Sequence, residues 1–277
     1  MKQPKLELLS PAGSWEALEA AVRSGADAVY LGGSLFSARA NAQNFDHDTL
    51  KQAVAYCHAR GVKVHLAVNT ILLNHEIEPA LDFVAFACTL PVDAVIVQDT
   101  GLLHLLRQAA PTLQIHASTQ MSVHTPEGAK LLAEQGVSRV VLARELSLKE
   151  IKEISRALKD GGFAHVEIEH FVHGALCMSV SGQCYFSSLL GSRSGNRGQC
   201  AQTCRLPFSA KGGTGYDLSL KDLSMIEQIG ELADAGVTSF KIEGRMKRPE
   251  YVAAATAACR FALDQQEIPQ NLTENLE

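Results

Sequence analysis

The residues best suited to chemistry are concentrated in one glycine-rich stretch, residues 167–205. Four of the seven cysteines fall within it: Cys177, Cys184, Cys200 and Cys204. Their neighbours are mostly glycine, serine, glutamine and asparagine, a loop composition without a periodic apolar face. The other three stand among apolar residues at helical or strand spacing, as packed thiols do: Cys57, Cys88 and Cys259. The clustered four are therefore predicted to be a ligand set.

The softness and number of these thiols limit what they can bind. Four thiolates suit tetrahedral zinc or an iron-sulfur cluster, and two disulfides are the third possibility. Residues 170–215 contain no acidic side chain, and their basic side chains would compensate thiolate charge: Arg193, Arg197, Arg205 and Lys211. Residues 1–7 lack the long apolar run of a secretory signal, so we expect a reducing, cytoplasmic compartment in which structural disulfides are disfavoured.

The spacing of the four cysteines matches none of the common metal motifs. The intervals are x6, x15 and x3, whereas zinc sites usually pair cysteines as C-x2-C, and ferredoxins use other short spacings. The C-x3-C-x2-C motif of radical enzymes is also absent, because Pro207 occupies the place of its third cysteine. Metal binding is the favoured interpretation, and buried structural thiols are the alternative.

Composition bounds the class of protein. The 277 residues are 46% hydrophobic and 20% charged, which fits one barrel-sized core and a single domain over residues 1–277, with residues 170–215 as an insertion. The net charge of −5 argues against a general polyanion binder, so contact with nucleic acid would need a local basic surface such as residues 193–211. No apolar run reaches the roughly 18 residues of a membrane span.

Short β-branched runs alternate with amphipathic stretches along the chain. Eight runs are predicted to be strands: 6–9, 28–31, 62–68, 94–97, 115–117, 139–142, 165–169 and 238–242. Stretches with apolar residues at helical spacing lie between them: 15–23, 48–59, 78–88, 126–135, 148–158 and 222–235. This alternation predicts either a (β/α)8 barrel or a doubly wound sheet.

The barrel is favoured because the turn after the first strand, residues 10–14, offers one glycine where a dinucleotide fingerprint needs several. In a TIM-type barrel the chemistry gathers at the carboxyl ends of the strands. The cysteine-rich residues follow the seventh strand, so they form an oversized loop on the catalytic face. We expect this loop to cover the barrel mouth.

Residues 169–177 (EHFVHGALC) and 182–187 (GQCYFS) resemble the signature of the peptidase U32 family, also called collagenase-like peptidases. Phe186 departs from the pattern, which prefers an aliphatic residue there. Further similarity at residues 8–13, 25–30, 195–200 and 241–245 extends the resemblance over nearly the whole chain. It implies oxygen-independent hydroxylation of RNA or quinones, with a 4Fe-4S cluster on four such cysteines.

Within that family, residues 195–198 before Cys200 resemble most the branch that hydroxylates 23S ribosomal RNA cytidine, followed by the branch that hydroxylates tRNA uridine. The resemblance implies RNA as partner, docking through the basic residues 193–211, and prephenate, a dicarboxylate, as hydroxyl donor. Members of the ribosomal branch usually continue further, so we expect a truncated chain or a short member that lacks some RNA-docking parts.

Two ionisable residues lead into the cysteines and are predicted to be catalytic, Glu169 and His173. The alternative is a capping or salt-bridging pair. His116, near the end of an apolar strand, is either a substrate contact or a hydrogen-bonded core residue.

A second set of charged residues is predicted to bind substrate. Glu243 and Arg245 are spaced i and i+2, so they would point the same way from a strand and could simply pair. Alternatively, three guanidinium groups could clamp a dicarboxylate: Arg39, Arg144 and Arg245.

Proteolysis is the second hypothesis. Residues 75–79 lack the second histidine of a metalloprotease H-E-x-x-H motif, and no G-x-S-x-G elbow occurs. Cys177 and the nearby His173 could be the nucleophile and base of a cysteine protease, but that assignment leaves three cysteines unexplained. The third hypothesis is a non-catalytic scaffold with a structural metal.

Overall fold

The computed structural model of the chain describes residues 5–180, 183–210, 212–270 and 272. Eight parallel strands form its centre: β1 (Glu7–Pro11), β2 (Ala28–Gly32), β3 (Lys63–Val68), β4 (Ala94–Val97), β5 (Ile115–Ala117), β6 (Arg139–Val141), β7 (Glu167–Gly174) and β11 (Ser239–Ile242). Each pairs with the next along the chain, β7 pairs with both β6 and β11, and β11 pairs with β1. The sheet therefore closes on itself as a TIM-type (β/α)8 barrel, as the alternating pattern predicts.

Helices surround the barrel: α1 (Trp15–Arg23), α2 (His47–His58), α3 (Ile77–Thr89), α4 (Thr100–Ala109), α5 (Pro126–Glu134), α6 (Leu148–Asp160), α8 (Ile229–Asp234) and α9 (Pro249–Leu263). Helix α6 shows why they form there. Ser147 and Glu150 make a reciprocal capping box at its start, and its apolar positions are buried: Ile151, Ile154 and Leu158.

The main apolar core lies between the strands and the helices, where the outward-facing strand residues are buried. Inside the barrel the apolar cluster is small: Leu9, Ala28, Tyr30 and Ile96. Buried charged and histidine side chains fill much of the remaining interior: Glu7, His65, His116, Arg139, Glu169 and Lys241. The barrel centre is therefore polar, and a network of ion pairs holds it together.

All eight predicted strands are confirmed, but two boundaries were wrong. The seventh strand runs on to Gly174, so Glu169 lies in mid-strand and not at the carboxyl end. The predicted helix 222–235 begins only at Ile229, because residues Leu223–Ser224 (β10) pair antiparallel with the end of β7. Helix α4, which the pattern missed, begins at the Asp99 cap.

Among the described residues, no helix combines the length and the apolar character needed to cross a bilayer.

Candidate active site at the barrel mouth

A cavity of about 1190 Å³ opens at the carboxyl ends of the strands. Its wall combines two parts of the chain that are distant in sequence. Strand-end residues form one part, among them Asn69, Ser118 and Arg144, and the cysteine-rich segment between β7 and β10 forms the other. Such a volume is ample for a small ligand, and the location is where barrel enzymes carry out their chemistry.

The described residues of the cysteine-rich segment, 175–180, 183–210 and 212–222, contribute to the cavity wall at the barrel mouth. The segment contains α7 (Phe186–Gly191), two single-turn 3-10 helices (Gly195–Arg197 and Thr203–Arg205) and a hairpin of β8 (Phe208–Ala210) with β9 (Gly213–Gly215). All four clustered cysteines line the cavity: Cys177, Cys184, Cys200 and Cys204.

Arg197 holds this segment to the barrel, and Arg205 joins two parts of the segment to each other. Arg197 donates to both carboxylate oxygens of Glu76, at 2.6 and 2.8 Å, and to the carbonyl of Ile71. Arg205 donates to the carbonyl of Leu176 at 2.7 Å and to Ser219 Oγ at 3.0 Å. These two members of the predicted RNA-binding stretch thus have structural partners.

Gly198 explains why this segment needs glycine. Its φ of +79° is in the left-handed region, and a Cβ there would lie 2.4 Å from the carbonyl oxygen of Ser37. Glycine therefore lets the segment pack directly against the loop that carries Arg39. Gly195 likewise lies close to Cys184 and Cys200.

The environment of the thiols suits a soft metal group. The backbone N–H of Phe186 donates to Cys184 Sγ at 3.4 Å, and that of Gln202 donates to Cys200 Sγ at 3.3 Å. Backbone donors of this kind stabilise thiolates and tune the clusters that they hold.

The spacing of the thiols bears on which metal group would fit. A single zinc ion bound at about 2.3 Å would hold its sulfurs roughly 3.8 Å apart. Among the described residues, the group of three or more ligands this compact consists of two histidines and a glutamate, His65, His116 and Glu169, not of cysteines. The four thiols line one shared cavity, where each could ligate a different iron of a multi-iron cluster.

Three arginines and one glutamate form a charged cluster in the wall. Glu243 accepts from Arg39 Nη2 at 3.2 Å and from Arg144 Nη2 at 2.8 Å. Burial alone would raise the pKa of Glu243, but the guanidinium groups outweigh it and lower the pKa to about 2. The predicted alternative, a pair between Glu243 and Arg245, does not form, because Arg245 donates instead to Ser37 Oγ at 2.7 Å.

Arg245 is the least satisfied of the three. It is buried, its Nε has no hydrogen-bond partner among the described residues, and burial together with repulsion from Arg39 lowers its pKa to about 10. Two guanidinium groups thus bind the single carboxylate of Glu243, and the third, that of Arg245, has no carboxylate partner among the described residues, which leaves surplus positive charge in the cavity. This arrangement favours an anionic ligand.

An aromatic floor lies below the arginines. The Nζ of Lys241 lies 4.3 Å from the centre of the Tyr30 ring, and Arg144 Cζ lies 3.9 Å from the centre of the Phe171 ring. Lys241 donates to Glu169 Oε1 at 2.8 Å. Tyr30, Phe171 and Lys241 all line the cavity.

Glu169 and His116 lie outside the cavity wall. Glu169 is fully buried between Lys241 and Arg139, whose Nη1 is 2.9 Å from Glu169 Oε2. His116 packs edge-on against His65 with ring centres 4.8 Å apart, and burial, then Arg139, lowers its pKa well below the usual value. Burial thus favours the neutral form of both imidazoles, His65 and His116. Arg139 and Lys241 occupy the Glu169 oxygens that a metal ion would need.

His173 lies behind Tyr251, with ring centres 5.8 Å apart, and is also outside the wall. Both of its ring nitrogens are buried without a hydrogen-bond partner among the described residues, and burial lowers its pKa. Cys177 therefore makes no hydrogen bond to His173, so the dyad of a cysteine protease is not formed. Catalytic roles for Glu169 and His173 remain predictions.

The sequence profile of peptidase family U32 matches residues 13–277. The chain belongs to this family. It is 45% identical over 267 residues to the 23S rRNA 5-hydroxycytidine C2501 synthase of Escherichia coli, an alignment that covers 94% of the chain and 39% of that protein. The identity is 35% to tRNA hydroxylation protein P1 of Bacillus subtilis, covering 94% of this chain and 63% of that one.

Other relatives of this U32 chain carry protease names. A protein of Methanocaldococcus jannaschii named as an uncharacterized protease is 41% identical, with 94% of this chain and 65% of that protein aligned. The solved structure of a U32 peptidase superposes with a TM-score of 0.62 at 16% identity, covering 88% of this chain and 95% of that one, which supports the fold. The chain spans less than two thirds of each of the three curated relatives.

Sequence reasoning missed two residues of the U32 cavity, Lys241 and Tyr30. Both occur in runs that resemble the family, residues 241–245 and 25–30, so a signal was present. Their position inside apolar strands concealed them, because a strand lysine flanked by Phe240 and Ile242 is ordinarily a surface residue.

Proposed function

We propose that this chain hydroxylates an RNA base without molecular oxygen. The observation that carries the proposal is one cavity lined both by four cysteines and by three arginines, of which Arg39 and Arg144 pair with Glu243 while Arg245 has no carboxylate partner among the described residues. Such a cavity joins a site for a redox group to a site for an anionic co-substrate, a combination that hydrolysis of a peptide bond does not need. The names of the U32 relatives that hydroxylate rRNA and tRNA support the same activity.

Cys177, Cys184, Cys200 and Cys204 are proposed to hold a 4Fe-4S cluster. The backbone N–H donors to Cys184 and Cys200, and the position of all four thiols in the wall of one cavity, support this assignment. A bound cluster would supply one-electron transfer. Arg39 and the other wall arginines would then compensate negative charge beside it.

Prephenate is proposed as the hydroxyl donor. A dicarboxylate matches the surplus of guanidinium charge, and Arg245, which has no carboxylate partner among the described residues, is the natural first contact. Arg39 and Arg144 are already oriented by Glu243, so they can receive the second carboxylate with little reorganisation.

The RNA is proposed to be 23S ribosomal RNA at a cytidine, with a tRNA uridine as the second choice, because the ribosomal enzyme shows the higher identity. RNA would approach over residues 193–211, where Arg193 is exposed. The compartment would then be the cytoplasm.

Proton movement is proposed to run through the buried ion pairs. Glu169 does not line the cavity, so it would act through Lys241, to which it is bonded at 2.8 Å. His173 makes no hydrogen bond to Tyr251, so it would act by positioning that ring, on which it stacks and which lines the cavity.

The proposal is tested with anaerobically purified protein, prephenate and ribosomal RNA that lacks the modification. Mass spectrometry of the digested nucleosides should show 5-hydroxycytidine only when protein, iron and prephenate are all present. Absence of hydroxylated cytidine and uridine with ribosomal RNA and tRNA would contradict the proposal, provided that the protein contains iron and binds prephenate.

Arg245→Ala should weaken prephenate binding by about 30-fold, or roughly 2 kcal/mol, because it removes a desolvated charge-assisted contact. Isothermal titration calorimetry on both proteins measures the difference. Arg193→Ala is the matched control, since Arg193 is exposed and outside the cavity wall, and its affinity should equal that of the wild type. Iron content should be unchanged in both variants, and equal affinities would rule out the arginine clamp.

A further inference from the structure

We propose that Lys241 forms an imine with the carbonyl carbon of a 2-oxo acid bound in the barrel cavity. This inference rests on the proposed function and deepens it, since prephenate itself carries a 2-oxo acid group in addition to its ring carboxylate. The co-substrate would thus be held covalently as well as by the arginines.

The position of Lys241 is unusual for a lysine. It lies on the last barrel strand, β11, is 4% exposed, and yet lines the cavity. Its Nζ lies 4.3 Å from the Tyr30 ring centre and 5.4 Å from that of Phe171, so two aromatic faces border the amine. These rings keep water from the nitrogen and limit its motion, conditions that favour attack on a carbonyl.

The arginines determine which carbonyl compound fits. Arg144 lies over the Phe171 ring, 3.9 Å from its centre, and Arg245 Cζ is 5.6 Å from the Tyr30 ring centre. Each of these two rings therefore lies near Lys241 and near one guanidinium group. A carboxylate bound by these arginines places an adjacent carbonyl carbon near the amine, which selects 2-oxo acids over simple aldehydes or ketones.

Glu169 supplies the proton acceptor that the reaction needs. Its Oε1 is 2.8 Å from Lys241 Nζ, and it can take a proton from the ammonium group and so generate the nucleophilic amine. Burial lowers the pKa of Lys241 more than the carboxylate raises it, which assists this transfer.

The step balances without an outside oxidant or reductant. The amine nitrogen forms a bond to the carbonyl carbon, the oxygen takes protons and leaves as water, and the nitrogen retains one proton as an iminium ion. The proton that Glu169 takes passes to the departing oxygen, and the ammonium and the iminium each carry one positive charge, so Glu169 faces a cation before and after the step. The iminium then withdraws electrons from the bound acid.

The test is reductive trapping in the intact protein. Anaerobically purified protein is incubated with prephenate, 2-oxoglutarate or succinate, then with cyanoborohydride, and its peptides are mapped by mass spectrometry. Both 2-oxo acids should add a secondary amine at Lys241, and succinate, which has no carbonyl, should add nothing. Lys247 is the matched control, because it also lines the cavity, pairs with Asp222 and lies 4.7 Å from the Tyr251 ring centre, but is exposed.

Two variants complete the experiment. Lys241→Arg keeps the positive charge beside Glu169 but cannot form an imine, so labelling at position 241 should fall to background while circular dichroism and iron content stay unchanged. Lys247→Met should leave labelling of Lys241 at the wild-type level. Mapping of the wild type decides the matter even if the Lys241 variant does not fold.

An unlabelled Lys241 in wild-type protein that binds prephenate by calorimetry would overturn the imine, and so would equal labelling of Lys241 and Lys247. The experiment distinguishes a wrong imine hypothesis from a wrong proposed function. RNA hydroxylation without labelling removes only the imine, whereas labelling without hydroxylation of either RNA keeps the lysine chemistry and removes the RNA assignment.

Discussion

Cys200→Ser and Cys204→Ser should each lose most of the iron from anaerobically purified protein. Wild-type protein should contain about four irons per chain and show broad visible absorbance from thiolate-to-iron charge transfer. Serine replaces a soft thiolate by a hard, weakly acidic hydroxyl, so one iron loses its ligand. Both cysteines line the cavity and are separated by only three residues. The backbone between them therefore cannot easily rearrange to bring another ligand to the iron.

Iron analysis and visible absorbance measure this effect, and serine variants of the other cysteines serve as controls. Cys88 is the cleanest control because it is exposed on α3, whereas Cys57 and Cys259 are buried in the core. All three controls should keep the wild-type iron content. Colourless wild-type protein with stoichiometric zinc would rule out the cluster, and equal iron loss in the control variants would show that the ligand assignment is wrong.

Arg139→Ala should destabilise the barrel by about 3–5 kcal/mol at neutral pH, because it leaves buried carboxylates without their partner. The Arg139 side chain is 3% exposed and donates to Glu7 Oε1 at 2.6 Å, Glu169 Oε2 at 2.9 Å and Glu167 Oε2 at 2.5 Å. Two of these carboxylates are themselves buried, Glu7 and Glu169. No other single side chain in the described residues forms ion pairs with three carboxylates.

The loss should shrink on acidification. Burial would raise the pKa of Glu7, but Arg139, with His65 and Lys63, lowers it to about 2. A lowered pKa contributes stability above the ordinary value of 4.5, and this contribution is lost as the pH falls toward about 2. Without Arg139 the burial penalty is no longer offset, so the pKa of Glu7 rises, and acidification from about pH 7 to about pH 5 should relieve part of the destabilisation.

Urea denaturation followed by far-ultraviolet circular dichroism at both pH values measures these changes. Lys149→Ala is the control, because the Lys149–Glu153 pair is exposed on α6 and its loss should change stability little at either pH. A destabilisation by Arg139→Ala that stays constant with pH would mean that lost packing, and not unpaired carboxylates, causes it.

Local patterns were sufficient for the fold. Each barrel strand is a short run of β-branched and apolar residues, and backbone pairing in a parallel sheet depends on that local pattern and on the short turns around it. The error at residues 222–235 has a non-local cause, since Leu223 and Ser224 pair with the distant end of β7. The cysteines could also be recognised as a group from composition, because four thiols in a loop have no packing role.

Partner choice inside the barrel could not be predicted, because it joins residues far apart in sequence. Arg39 and Glu243 are 204 positions apart, and Arg139 and Glu7 are 132 apart. Which side chains meet depends on the stagger of the closed sheet, which sets the level of each residue along the barrel axis. Strand periodicity gives the face of a residue but not this level.

The sequence by itself determined the barrel, the family and the four clustered cysteines, since these depend on local pattern and residue chemistry. The tertiary structure decided how the charges are used. It placed Glu169 within the ion pairs of the interior and brought Lys241 to the cavity, because closure of the sheet aligns strands whose contacts no local segment encodes. It also paired Arg197 with the Glu76 carboxylate and the Ile71 carbonyl, and Arg205 with the Leu176 carbonyl, because donors and acceptors so far apart in the sequence meet only in the folded chain.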